Sequence, residues 1–430
     1  MSNYLNKIFS LKQGEIKLLL LSVLFIFMLF SSYAILRPLR DALGLEGGQD
    51  ELKWLFLATF LATLFSSFFA SFLAGIVKKR HYISVIFIFF SLNLLGFYLA
   101  LLVIEPNSKG FLWLSRIFYV WVSVFNLFII SSAWSLMADL FSKDQSKRLF
   151  GIISAGASLG SIVAAFFVSF LTRFLNSNSF IFLALILLLC VLILKVFLIK
   201  ESLKFTHDKR DFKENFNKNI GTKNAFEAIK LIFRSKFLML FVGFILLLTS
   251  TSTFLYMEQA RIISELFPAT EPNSRALRIQ AFANIDFLVQ SLSFIIQLFL
   301  TAKIANLSLK WLLCPLGFVL ALLFLILALA HPALQIIIIA MSLRRVGEYA
   351  LVKPAREMLF VPLRAEEKYK VKNFLDVVVY RAGDALSAQL EGFLLRFGIG
   401  FTLFVGAFIS FLWGILGLKL AKKYEKNEFF

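Results

Sequence analysis

The chain is poor in the residues that build chemistry by coordination or covalent bonding. Its 430 residues include two cysteines and three histidines. Cys190 and Cys314 both fall inside apolar runs, which leaves neither a disulfide framework nor a thiolate pair for a metal. His81, His207 and His331 are scattered over loops and helix ends, so they predict no metal cluster. Charged residues make up 17% of the chain, against about 25% in soluble domains. No GxxxxGK[ST] loop is present, and no soluble segment is long enough to house one, so ATP hydrolysis is not the expected energy source. The ten-residue alternating segments of a transmembrane barrel are missing as well. No metal, no cofactor and no enzymatic activity are expected.

Apolar residues take the place of all these. Hydrophobic residues form 59% of the chain and Phe alone occurs 53 times, with a mean hydropathy of +0.82. Apolar runs of about 20 residues recur along the whole length, the pattern of an all-α polytopic membrane protein. Twelve transmembrane helices are predicted, near 16–36, 54–77, 82–104, 111–138, 149–172, 179–199, 237–262, 277–301, 310–330, 333–357, 371–395 and 398–420. The first run is long for a signal-peptide core and ends in Arg37-Pro38-Leu39-Arg40 rather than a small-residue cleavage site, so it reads as a retained helix.

Net charge is +19, yet the cations lie in alternate loops and form no basic domain, which argues against nucleic acid. Lys78-Lys79-Arg80, Lys143, Lys147 and Arg148, the 200–236 stretch and Lys422-Lys423 all fall on one side. By the positive-inside rule that side, with both termini, is cytoplasmic. The expected location is the bacterial inner membrane, with the lipid bilayer as surroundings and a monomer as the working unit.

Three parts follow from the pattern, namely an N-terminal six-helix bundle (1–199), a cytoplasmic linker (200–236) and a C-terminal six-helix bundle (237–430). Within the linker, Thr222 to Arg234 places Phe226, Ile229 and Phe233 on one face and Lys223, Lys230 and Arg234 elsewhere. That spacing allows an amphipathic helix on the inner leaflet or a plain solvated linker. The loops after spans 4 and 10 look duplicated, pairing Ser142 with Arg364, Gln145 with Glu367 and Arg148 with Lys370. Parallel six-helix repeats joined by a cytoplasmic linker describe the major facilitator architecture. Gly151, Gly156 and Gly160, at helical spacing, predict close packing of span 5 on a neighbour.

Charge at membrane depth is costly and marks candidate function. Arg37 and Arg40 share a face at the end of span 1, with Asp41 one turn from Arg37 and Pro38 expected to disrupt the helix. They read either as snorkelling end caps or as an anion attractor. Arg116 lies near the outer end of span 4, and Asn126 in its middle. In span 7, Glu258 and Arg261 stand one turn apart, as an internal ion pair or with Glu258 as a coupling acid. Span 8 carries Asn284 and Asp286 on different faces. Span 10 holds Arg344, Arg345 and Glu348, spaced so that one arginine is compensated and the other is left over. Lys353, Arg356 and Glu357 follow, and span 11 carries Asp376, Arg381 and Asp384. Arginine at such positions suits bidentate capture of carboxylate or phosphate, which predicts a secondary transporter of an anionic solute.

The segment from Arg344 to Asp384 resembles the ATP/ADP translocases, the nucleotide transporters of plastids and obligate intracellular bacteria, a branch related to the major facilitator fold. Tyr349 to Lys353, Arg356-Glu357-Met358, Val361-Pro362-Leu363, Glu367-Lys368, Lys372 and Leu375-Asp376-Val377-Val378 fall in register with that family's signature. Leu36-Arg37-Pro38-Leu39-Arg40-Asp41, and Trp134 followed by Lys147-Arg148, match two further family segments. The resemblance implies alternating-access transport of a nucleotide-type anion, with Arg40 in place of the family's basic residue in span 1 and Glu258 near its span-7 acid. It implies roles for Lys353, Arg356, Glu357, Glu367, Lys370 and Asp376 as a cytoplasmic signature loop. Three departures stand out. Lys353 replaces an Asp, Asp384 replaces a Lys, and Tyr119 to Phe125 contains no acid where the family has a Glu. They point to a divergent member with a different solute, another nucleotide included, or a different coupling ion.

The residues expected to contact solute are Arg37, Arg40, Arg116, Arg344, Arg345 and Arg381. Glu258, Asp286, Glu348 and Asp384 are the expected coupling or gating acids. Two other functions fit the same sequence: a facilitator for another organic anion, and a membrane scaffold that moves nothing.

Overall fold

The computed structural model describes residues 15–106, 108–204, 226–271, 273–304, 308–330, 334–360, 371–372 and 374–426. Among these residues every regular element is helical. The order is α1 (Glu15–Leu43), α2 (Leu52–Ile76), α3 (Lys79–Val103), α4 (Lys109–Leu140), α5 (Lys143–Leu171) and α6 (Ser177–Ser202). After the linker come α7 (Phe226–Arg234), α8 (Lys236–Leu266), α9 (Ser274–Ile304), α10 (Leu309–Leu313) and α11 (Pro315–Ala330). The chain continues through α12 (Leu334–Gly347), α13 (Lys353–Leu359), α14 (Tyr380–Leu394) and α15 (Ile399–Glu425). With no water at bilayer depth, a backbone that satisfies its own hydrogen bonds is the arrangement such apolar runs can adopt.

Ten of these helices, counting α10 and α11 together, are long and apolar enough to cross a membrane. They match ten of the twelve predicted spans. The spans expected at 333–357 and 371–395 are helical too, but each is interrupted. A five-residue π-helical turn, Glu348–Val352, separates α12 from α13, and a second, Leu375–Val379, leads into α14. Single π turns of this kind recur at functional sites, and both lie in the charged stretch between Arg344 and Asp384. Pro38 does not disrupt α1, which runs unbroken from Glu15 to Leu43. The helix packs on α4, α5 and α6, contacts that offset the hydrogen bond Pro38 cannot make.

The chain forms two compact units. The first comprises Met1–Leu43, Phe68–Thr222 and Arg275–Phe287; the second comprises Gly44–Ser67, Lys223–Ser274 and Leu288–Phe430. In the first unit, a Cβ on Gly156 would lie 2.9 Å from the Val23 carbonyl oxygen, and one on Gly160 would collide with that of Phe27. Ser31 Oγ then donates to the Gly160 carbonyl at 3.0 Å. Small residues thus let the backbones of α1 and α5 touch. Gly151 faces open space instead and takes no part in this contact. In the second unit α11 and α15 meet the same way at Gly317 and Gly414, and Trp413 is fully buried against Phe244, with ring centroids 5.7 Å apart. Large apolar side chains such as Phe65, Phe174 and Leu329 stay exposed, as expected where the surrounding solvent is lipid.

Candidate functional site

In each unit several of the candidate charges form ion pairs. In the first, Arg37 Nε lies 3.5 Å from Asp286 Oδ2, which joins α1 to α9. Arg40 donates to Asp41 Oδ1 from Nε at 2.9 Å and from Nη2 at 2.5 Å. Its guanidinium also reaches Ser123 Oγ at 3.4 Å and lies 5.2 Å from the centre of the Tyr119 ring. The sequence placed Asp41 beside Arg37 by helical spacing; Asp41 also bonds the adjacent Arg40, while Arg37 pairs with Asp286. Arg116 stacks on Trp113 at 4.7 Å. The two polar residues of span 8 part as expected: Asn284 accepts from Ser169 while Asp286 holds Arg37.

The N-terminal signature stretch closes on α1. Ser142 caps α5 in a capping box with Gln145, and Arg148 makes two 3.0 Å bonds to Glu15, which is 3% exposed. Gln145 Nε2 adds a third bond to Glu15 at 3.1 Å. Two arginine donors plus an amide give this buried carboxylate the partners that it needs.

In the second unit Arg344 Nη2 donates to Glu348 Oε2 at 2.5 Å, one turn on, and Tyr380 Oη donates to the other oxygen at 3.3 Å. Glu348 therefore ties α12 to α14 at the edge of the first π turn. Arg345 is buried and engaged on its own account; it is not left over, since a lone guanidinium in such a setting would be too costly. Arg381 lies 3.6 Å from Asp384, and Thr253 Oγ1 donates to Asp384 Oδ1 at 3.2 Å. Neighbouring hydroxyls line α8 and α14, with Ser250 and Ser387 2.7 Å apart. Arg356, after the first π turn, pairs with Asp376 inside the second, and Lys372 donates to Glu357 at 2.5 Å. Lys353 is exposed, 5.4 Å from the Tyr349 ring. Glu367 and Lys370 lie outside the described residues.

Sequence reasoning foresaw the Glu258–Arg261 pair but missed its extent. Arg261 also donates to Glu391 on α14. With its amide oxygen turned inward, Gln49 accepts from the same guanidinium at 3.0 and 2.7 Å. Glu391 is 1% exposed. It sits two helical turns after Asp384 on one face, a spacing that could have flagged it. Thr253 and Tyr380 carried no such signal, since a lone hydroxyl in an apolar run is usually satisfied by its own helix. Lys195 was also missed. It is buried in α6, with Nζ 2.5 Å from Ser84 Oγ.

The sequence model of the Major Facilitator Superfamily matches residues 18–350. No curated protein matches the sequence. Solved structures share the fold at low identity. The xylose transporter XylE from E. coli is 10% identical, with a TM-score of 0.63 over 94% of this chain and 96% of its own. The peptide transporter POT, solved in complex with sulfate, is 14% identical, with a TM-score of 0.62 over 96% of this chain and 95% of its own. The nucleoside transporter NupG is 13% identical, with a TM-score of 0.57 over 95% of this chain and 99% of its own.

Proposed function

The chain belongs to the Major Facilitator Superfamily, and from that premise we propose that it is a secondary-active transporter of a small anionic solute, with nucleotide-type solutes as the first candidates and the bacterial inner membrane as its place of work. The observation that carries this reading is the set of arginines held by carboxylates: Arg37 by Asp286 and Arg40 by Asp41 in one unit, Arg344 by Glu348 and Arg381 by Asp384 in the other. An unpaired guanidinium is too costly at this depth. An internal carboxylate can hold it until a solute carboxylate or phosphate takes its place, an exchange of one anion for another at nearly constant charge. Arg40 in the first unit and Arg381 in the second are the contacts assigned to that exchange. Asp384 and Glu258 are the acids that would respond to it.

The translocase-like segment around Arg356, Glu357 and Asp376 supports the nucleotide class, while Lys353 and Asp384 favour a solute or coupling ion different from ATP/ADP exchange. The test is uptake by proteoliposomes containing the purified chain, offered labelled ATP, ADP, other nucleotides, and a panel of carboxylate and phosphate anions. Nucleotide uptake that Arg40→Ala and Arg381→Ala abolish is the expected result. Uptake of another organic anion with no nucleotide uptake favours the second reading, a facilitator for that anion. No flux of any anion removes the proposal.

A further inference from the structure

At the end of the second unit that the Lys and Arg distribution assigns to the cytoplasm, the nine-residue helix α7 docks directly before α8. Leu231 and Ile232 pack into the unit's apolar core, Ile232 at 5% exposure, alongside Leu309, Leu312 and Leu420. This face holds the helix in place. Phe233, in contrast, is 73% exposed, and Lys230, Arg234 and Lys236 beside it are exposed as well. Ser235 breaks the helical path with φ −115° and ψ 118°, then caps α8 by accepting from Leu238 N at 3.2 Å. Lys236 is therefore the first residue of a 31-residue helix whose first turn contains no acid. A cation there opposes the helix dipole.

We infer that this basic and aromatic rim, built by Lys230, Phe233, Arg234 and Lys236, is a docking surface for the phosphate headgroup of an anionic phospholipid of the inner leaflet. Three exposed cations within three residues of one exposed phenylalanine complement a ligand that is anionic at one end and apolar at the other. A soluble phosphate would leave the ring in water, and an apolar partner would leave the cations uncompensated. The phosphate also restores favourable charge at the start of α8. Because Ile232 and Leu231 fix α7 on the core, the surface is formed before lipid arrives and does not pay the cost of ordering on binding. The inference goes beyond the transport proposal and requires no solute.

The test is native mass spectrometry of the purified full chain titrated with phosphatidylglycerol or phosphatidylcholine. The wild-type chain is expected to retain phosphatidylglycerol in preference. Lys230→Gln, Arg234→Gln and Lys236→Gln should each weaken that retention about fivefold, in line with about 1 kcal/mol for a basic residue at an anionic membrane surface. The conservative pair Lys230→Arg with Arg234→Lys should keep it, and Phe233→Ala should weaken both lipids alike. Single substitutions are read if the triple variant does not fold. Equal retention by wild-type and variant chains overturns the inference. So does complete displacement by glycerophosphate at equal concentration, which would make this a site for free phosphate. Dimers that vanish in the triple variant would assign the surface to a second copy instead, and would overturn it too.

Discussion

Arg261 and Glu391 stand 130 residues apart in sequence and are joined in the interior of the second unit, where the same guanidinium also holds Glu258. Removing one member of a buried network exposes the others to a charge they can no longer share. Arg261→Ala is therefore expected to cost about 3–5 kcal/mol, more than Glu391→Gln, which keeps the shape and a hydrogen-bonding end. Thermal unfolding of the purified chain in one detergent orders the two variants. A Glu391→Gln protein less stable than Arg261→Ala would contradict the arrangement.

The glycines of α5 make a sharper comparison. Gly160→Ala puts a methyl into the Phe27 carbonyl and is expected to destabilise by about 1–3 kcal/mol. Gly151→Ala, which meets nothing within 4 Å, should be neutral or stabilising by up to about 1 kcal/mol through helix propensity. Melting temperatures of the two variants should move in opposite directions or differ clearly in size.

A double-mutant cycle tests the Arg344–Glu348 pair. Arg344→Ala and Glu348→Ala should each destabilise, and the double variant should fall short of their sum, with a coupling of about 1–3 kcal/mol. Tyr380→Phe removes one donor from Glu348 and should cost about 1 kcal/mol. Strict additivity of the first pair would place the two side chains apart.

Topology is open to a direct check. In a variant lacking Cys190 and Cys314, a cysteine at the exposed Asp50 should react with a membrane-impermeant maleimide in intact cells. A cysteine at Lys422 should react only after permeabilisation. The opposite pattern would reverse the orientation derived from the Lys and Arg distribution.

Much of the helical frame was legible in the sequence because a spanning helix must be apolar over a fixed length, and that constraint leaves a plain trace in runs such as 179–199. Local charge partners at one helical turn were legible for the same geometric reason, as in Glu258–Arg261 and Arg344–Glu348. What was hidden was long range. No spacing rule links Arg37 to Asp286, or Arg261 to Glu391 and Gln49, since these meet only after different helices pack. The bond from Arg40 to the adjacent Asp41 was hidden for a different reason, since neighbours in sequence are not the pairs that one-turn spacing picks out.

The π turn at Glu348–Val352 has a consequence for any change in chain length there. It accommodates one residue more than an α-helix would over the same rise. Deleting Ala350 would let the segment rewind as α-helix with the residues beyond it kept nearly in register, whereas the same deletion in a regular α-helix would rotate everything beyond it by about 100°. Arg356 would keep its pairing with Asp376, as Arg344 would with Glu348. The π turn is thus the point in this helix where one residue can be lost without unfastening the charges on either side, while a deletion within Leu334–Gly347 would set the two sides out of register.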